Sequence, residues 1–220
     1  MTQSLDDLRL AAEKAEQEGN YPEAARLWGA ALKEAERFGA KDPRVTACMT
    51  KLGEALQAQE KFGEAEKVFQ NVISLKTHAF GPEHMEVAQA MNLLAGLYYE
   101  QSLFDKAEPL CRKILGIYER ALGKEHLDVA TIATNLAMLY HSQGNFDQAE
   151  PLYKRALATR QKLLGYGHPD VIVILENYAS LLQETNRPEE AEYMRTCVMG
   201  RVSGRLRSTL HGMPSMEPPS

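Results

Sequence analysis

Apolar and small residues recur along this chain at helical rather than strand spacing. Ala130, Ala133, Leu136, Ala137 and Tyr140 fall on one stripe, the mark of an amphipathic helix packed on one face. Gly144 and Asn145 interrupt it. A glycine tolerates a left-handed turn, and an asparagine can cap the helix that follows. A second stripe runs through Phe146, Ala149, Leu152, Tyr153, Ala156, Leu157 and Leu164, and Gly165 closes it. The pattern predicts helix, tight turn, helix, short loop.

That unit repeats. Phe104-Asp105-Lys106-Ala107-Glu108-Pro109-Leu110 returns 42 residues later as Phe146-Asp147-Gln148-Ala149-Glu150-Pro151-Leu152. An upstream copy is Phe62-Gly63-Glu64-Ala65-Glu66-Lys67-Val68, and a downstream one is Pro188-Glu189-Glu190-Ala191-Glu192. Self-similarity at a fixed period marks a solenoid, in which each unit packs on its neighbours. The expected fold is all-α, with five helix pairs. First helices are predicted near 4–18, 43–59, 84–102, 126–143 and 168–185, and second helices near 21–38, 62–80, 104–122, 146–164 and 188–202. The solenoid is expected over 1–202, in units 4–42, 43–83, 84–125, 126–167 and 168–202. The Gly- and Pro-bearing stretch 203–220 is expected to be a disordered tail. Its basic start (Arg201, Arg205, Arg207) leaves two readings open, a solvated tail and a segment that folds back to compete with ligands.

Small residues hold a constant phase: Gly53, Ala95, Ala137 and Ala179 in the first helices, Ala65, Ala107, Ala149 and Ala191 in the second. Facing one another they let paired helices approach closely, while Tyr98, Phe104, Tyr140 and Phe146 fill the space beside them. Pro109 and Pro151 fall early in second helices. Either the helix starts after them or its first turn is irregular, because proline donates no backbone hydrogen bond.

The connections between pairs repeat as well, through Gly81…His84…Val87, Gly123…His126…Val129 and Gly165…His168…Val171, with Asp42 in the looser first copy. One repeat apart, the three histidines cannot converge on one metal ion. They are expected to cap the following helices, with Glu86, Asp128 and Asp170 facing the positive helix ends.

Composition narrows the function. A formal net charge of −5 makes nucleic acid and anionic membrane unexpected partners. Cys48, Cys111 and Cys197 have no paired spacing and suggest reduced thiols in a cytosol; Cys111 shares the register of Phe69 and Tyr153 and is expected to be buried. Residues 1–10 lack the apolar core of a signal peptide, and no apolar run is long enough to span a bilayer. A cytoplasmic location is the expectation. No phosphate loop, GxSxG, HExxH or CxxC is present, so no catalytic residue, metal or cofactor is expected.

The small residue, aromatic, turn, aromatic and alanine signature resembles the tetratricopeptide repeat, here eight residues longer than the usual 34. With Asn-Leu-Ala, Ala-Glu-Pro-Leu-Tyr and the Leu-Gly-x-x-His-Pro-Asp-Val loop, it resembles the 42-residue repeats of kinesin light chains and their relatives, strongly over 43–195 and weakly over 4–42. The resemblance implies a right-handed α-solenoid whose first helices line a concave groove. It also implies that asparagines before the Leu-Ala pair contact the backbone of an extended peptide. Asn135 and Asn177 match that position, Asn92 matches the one before it, and Lys51 replaces asparagine in the second unit. By phase, Thr50, Thr131, Thr134, Met138, His141 and Gln183 share this face, with Tyr99 and Met138 as candidate apolar anchors. The peptide-binding set is thus Lys51, Asn92, Tyr99, Thr131, Asn135, Met138, His141, Asn177 and Gln183. An asparagine amide both donates and accepts, so it can pair with any peptide group.

The leading expectation is a monomeric, non-catalytic adaptor that binds a peptide segment of another protein. Two alternatives stand beside it. One is a receptor for chaperone tails, which would need a basic clamp where only Lys51 and Arg9 are at hand. The other is an architectural protein that self-associates through its end helices, with Trp28 and Leu32 contributing. The packing argument gives a first test. Replacing Ala149 by leucine overpacks the helix pair and should cost about 1–3 kcal/mol, measured as a shift in the denaturation midpoint at constant slope.

Overall fold

The computed structural model describes residues 4–39 and 42–198; the expected tail at 203–220 lies outside them. The described residues form ten helices: α1 (Leu5–Gln17), α2 (Tyr21–Glu36), α3 (Pro43–Gln57), α4 (Phe62–Phe80), α5 (Met85–Glu100), α6 (Phe104–Leu122), α7 (Leu127–Ser142), α8 (Phe146–Leu164), α9 (Pro169–Glu184) and α10 (Pro188–Val198). The predicted bounds of α4, α6 and α8 hold to the residue. The first helices end one or two residues earlier than predicted, and the turns explain why. Glu60, Ser102 and Asn186 take positive φ values of 59°, 57° and 59°, in register with Gly144 at 73°. The left-handed stop is therefore a property of every turn, although only one of these four turns announces it with glycine. Pro109 and Pro151 lie inside α6 and α8, so those helices do not wait for the proline. Each starts at its phenylalanine and forgoes one backbone hydrogen bond a turn later.

Helix starts follow a second repeated rule. The Nδ1 atoms of His84, His126 and His168 accept the backbone N–H of Glu86, Asp128 and Asp170 at 3.2, 3.1 and 3.2 Å. Asp42 does the same for Arg44 at 2.9 Å. The expected histidine caps are present, and they satisfy one orphan amide at each helix start.

Packing divides the chain into two compact units, the first reaching Leu110 and the second starting at Cys111. In the first, α1 to α5 each pack on the next. Its N-terminal core joins Leu5, Leu8 and Ala12 of α1 to Ala24, Leu27, Trp28 and Ala31 of α2 and to Val45 and Cys48 of α3. In the second, α7 to α10 pack in sequence and α7 also touches α9. The alanines of the second helices (Ala65, Ala107, Ala149, Ala191) are fully buried. The glutamates after Ala65 and Ala149 have a structural task. Tyr98 donates to Glu66 at 2.7 Å and Tyr178 to Glu150 at 2.7 Å, so each carboxylate ties a second helix to the first helix of the following pair. Burial pushes the Tyr178 hydroxyl well above its usual range, and the bond to Glu150 adds to that. Burial alone would raise Glu150, but bonds from Lys154, Tyr178 and Arg187 outweigh it and hold the carboxyl below its ordinary value. Cys111 departs from expectation: it is half-buried rather than buried.

Two outcomes follow from this packing. A Cβ at Gly53 would sit 2.5 Å from Cε1 of Phe69. Gly53→Ala should therefore destabilise by about 1–3 kcal/mol, overriding the helix-propensity gain of about 1 kcal/mol. Chemical denaturation should show a smaller loss in a Phe69→Leu background. The Arg44 guanidinium, with its backbone amide, holds the Asp42 carboxyl down at about 2. A depressed carboxyl contributes its cap above the ordinary carboxylate range and loses it as pH falls towards 2. An NMR titration of Asp42 should show that low midpoint, and Arg44→Gln should move it upwards.

Candidate functional site

In the second unit, α7 and α9 present the predicted residues. Asn135 and Gln183 are exposed and Asn177 is half-buried. None of these three amides is bonded among the described residues. Other members of the set are already engaged. Thr131 is half-buried; its hydroxyl donates to the Leu127 carbonyl at 3.1 Å and accepts from the Arg160 guanidinium at 2.7 Å. His141 lies 3.1 Å from Glu184 Oε1 through Nε2 and 3.5 Å from the Tyr153 hydroxyl through Nδ1. Its ring therefore links α7, α8 and α9. Met138 is half-buried. Thr134, placed on this face by phase, is instead buried. Its hydroxyl returns to the Ala130 carbonyl at 2.8 Å, so its own helix satisfies it and covering it leaves no orphaned polar group.

In the first unit, Asn92 and Tyr99 of α5 are exposed. The Tyr99 ring lies 5.6 Å from Phe104. Lys51 of α3 is half-buried and paired with Glu54 at 2.7 Å. That bond raises the Lys51 ammonium above its usual range, with Glu16 and Glu13 adding a smaller pull.

The sequence did not announce a concavity in this unit. A cavity of about 810 Å³ is bounded by α1, α3 and the C-terminal end of α4. Its apolar walls include Trp28, Ala47, Leu75 and Phe80, and Thr50 and Lys51 reach it from the predicted face. Repeat register explains its presence. Ala47, Lys76 and Glu86 correspond to Thr131, Arg160 and Asp170 two units on. In the second unit the Thr131 hydroxyl and Asp170, at 3.2 Å, draw the Arg160 side chain inwards until it is 9% exposed. In the first unit Ala47 offers no hydroxyl, Lys76 pairs with Glu86 at 2.6 Å, and space remains. Phe80, exposed where it lines the cavity, shares a register with Leu122 and Leu164.

Among the described residues no three His, Cys, Asp or Glu side chains cluster as a metal site, and no helix is long and apolar enough to cross a membrane. The helix pairs, their left-handed turns and their alanine contacts define a helical-repeat scaffold. The tetratricopeptide repeat model matches residues 45–109, 86–162 and 128–197, and the chain belongs to that family, whose fold generally serves as a non-catalytic scaffold for protein–protein interaction. Solved structures agree at the level of fold. BtubC (BKLC) from P. vanneervenii is 23% identical, with a TM-score of 0.76 over 98% of this chain and 84% of that one. A Podosopora anserina protein with nearly identical TPR-like repeats of the kinesin light chain type is 22% identical, with a TM-score of 0.77 over 89% and 93%. The Rap conjugation gene regulator of plasmid pLS20, solved in complex with the Phr* peptide, is 14% identical, with a TM-score of 0.63 over 89% of this chain and 52% of that one. Comparison with curated proteins finds no match.

Proposed function

We propose that this protein is a non-catalytic adaptor that binds an extended peptide segment of a partner protein on its first-helix faces. The observation that carries the reading is the set of unengaged amides on those faces. Asn135 and Asn177 stand one repeat apart, on α7 and α9, with donor and acceptor free among the described residues. A side-chain amide that bonds a peptide group does so whatever the partner's side chain. Spaced by packed helices at about 8–10 Å, against a strand rise of about 3.3 Å per residue, such amides would meet a peptide about every third residue. Within the second unit Gln183 extends the contact and the half-buried Met138 offers an apolar patch beside Asn135; the first unit has Asn92 and Tyr99 exposed on its own first-helix face. Thr131 and His141 hold the scaffold in shape and contribute less than Asn135 and Asn177. The peptide-bound Rap regulator, a distant relative in fold, supports this use of the architecture. The protein acts as a monomer in the cytoplasm.

The test is a pull-down from the native lysate. Asn135→Ala combined with Asn177→Ala should abolish partner capture, while helicity by circular dichroism is unchanged and stability stays within about 1 kcal/mol of the parent. Undiminished capture would move the binding surface elsewhere.

A further inference from the structure

The structure carries a second recognition element, of different chemistry, in the first unit. We propose that the cavity between α1, α3 and α4 receives a short run of uncharged, bulky apolar side chains from the same kind of partner peptide. The inference rests on the peptide-binding reading and adds a sequence preference to it.

Size is the first argument. At about 810 Å³ the cavity lies within the range of specific ligand pockets. It exceeds any single side chain and suits about two or three. Its apolar walls come from Trp28, Ala47, Leu75, Ala79 and Phe80. Phe80 is 52% exposed, yet its ring is stacked on His84 at a centroid distance of 4.9 Å. A large apolar surface is thus held open to solvent in a fixed orientation, which lowers the cost of docking against it.

Charge is the second argument, and it points away from an ionic ligand. Each cation at the rim already faces a carboxylate: Lys51 meets Glu54 at 2.7 Å, Lys76 meets Glu86 at 2.6 Å, and Arg9 lies 3.8 Å from Asp6. An arriving carboxylate would have to share a cation with one of these partners; the lining carboxylate outside the pairs, Glu13, is exposed at the cavity's edge. An uncharged apolar chain leaves all three pairs intact and removes only apolar surface from water.

The third argument is singularity. Asparagine amides recur from repeat to repeat and read the backbone, which carries no sequence information. This cavity does not recur at its counterpart in the second unit, where Arg160, Thr131 and Asp170 occupy the space. Within the first unit, a feature of this kind is suited to fixing the register of a peptide whose backbone meets an exposed amide such as Asn92.

Trp28 is the protein's one tryptophan and lines the cavity, so its emission reports occupancy directly. The probes are acetyl-Ala-Leu-Leu-Ala-amide and its Glu-Glu and Lys-Lys counterparts, titrated into the intact protein. The Leu-Leu peptide should shift Trp28 emission saturably, and the charged peptides should bind at least about tenfold more weakly, a difference of about 1.4 kcal/mol. Ala47→Leu, and independently Ala79→Leu, should fill the space and weaken the Leu-Leu response by a similar factor, with helicity unchanged. The Asn135→Ala, Asn177→Ala variant should respond like the parent. No saturable response at millimolar peptide, equal or better binding of a charged peptide, or indifference to both alanine replacements would each overturn the proposal. Partner capture that depends on Asn135 and Asn177 but ignores Ala47→Leu would sink the cavity's role alone. Loss of that dependence, with the Leu-Leu response intact, would sink the amide reading instead.

Discussion

The close approach of the two helices within each pair is the constraint on which everything else rests. It exists because Ala65, Ala107, Ala149 and Ala191 are fully buried in the second helices, and Gly53, Ala95, Ala137 and Ala179 are buried in the first. With side chains this short, backbones come near enough for the flanking aromatics to fill the remaining space at native density. At Gly53 the arrangement is at its limit, since Phe69 already occupies the volume a methyl group would need. Once helix separation is set in this way, the tie from one pair to the next follows. A glutamate on the second helix reaches a tyrosine on the first helix of the next pair, at Glu66–Tyr98 and at Glu150–Tyr178.

Given that frame, the exposed faces differ by only a few substitutions, and those substitutions set their chemistry. A threonine hydroxyl at 131 captures an arginine and closes a space; an alanine at 47 leaves the same space open. Lys51 stands where Asn177 and Asn135 stand in later units, and its charge is spent on Glu54. The scaffold and its candidate recognition features are separable for a physical reason: the former depends on buried small residues at one phase of each helix, the latter on solvent-facing positions at another.

Much of the fold was legible in the sequence because the repeat supplies the same information several times. Phe62, Phe104 and Phe146 mark the start of α4, α6 and α8, and the glycines at 81, 123 and 165 mark their ends, so those bounds were read correctly. The helix ends before the tight turns were not, because Glu60 and Ser102 do not look like left-handed residues and Asn186 signals the conformation less plainly than glycine. The candidate site was legible only in part. Phase places a residue on a face but does not say whether a neighbour covers it, which is why Thr134 was misassigned and why the engagement of Thr131 by Arg160 went unseen. The cavity was out of reach for a related reason: it arises from the joint absence of a hydroxyl and a guanidinium at two positions 29 residues apart, a pairing visible only once the helices are set side by side.

The left-handed turns carry one further implication, for the order in which the chain assembles. Gly19 and Gly144 reach positive φ at no steric cost, whereas Glu60 and Ser102 pay about 1 kcal/mol or more to do so, and Asn186 somewhat less. The α1–α2 and α7–α8 hairpins can therefore close on local preference alone, one in each compact unit. The remaining hairpins need a docked neighbour to hold their turns in place. Each half of the molecule thus holds one hairpin whose turn closes without backbone strain.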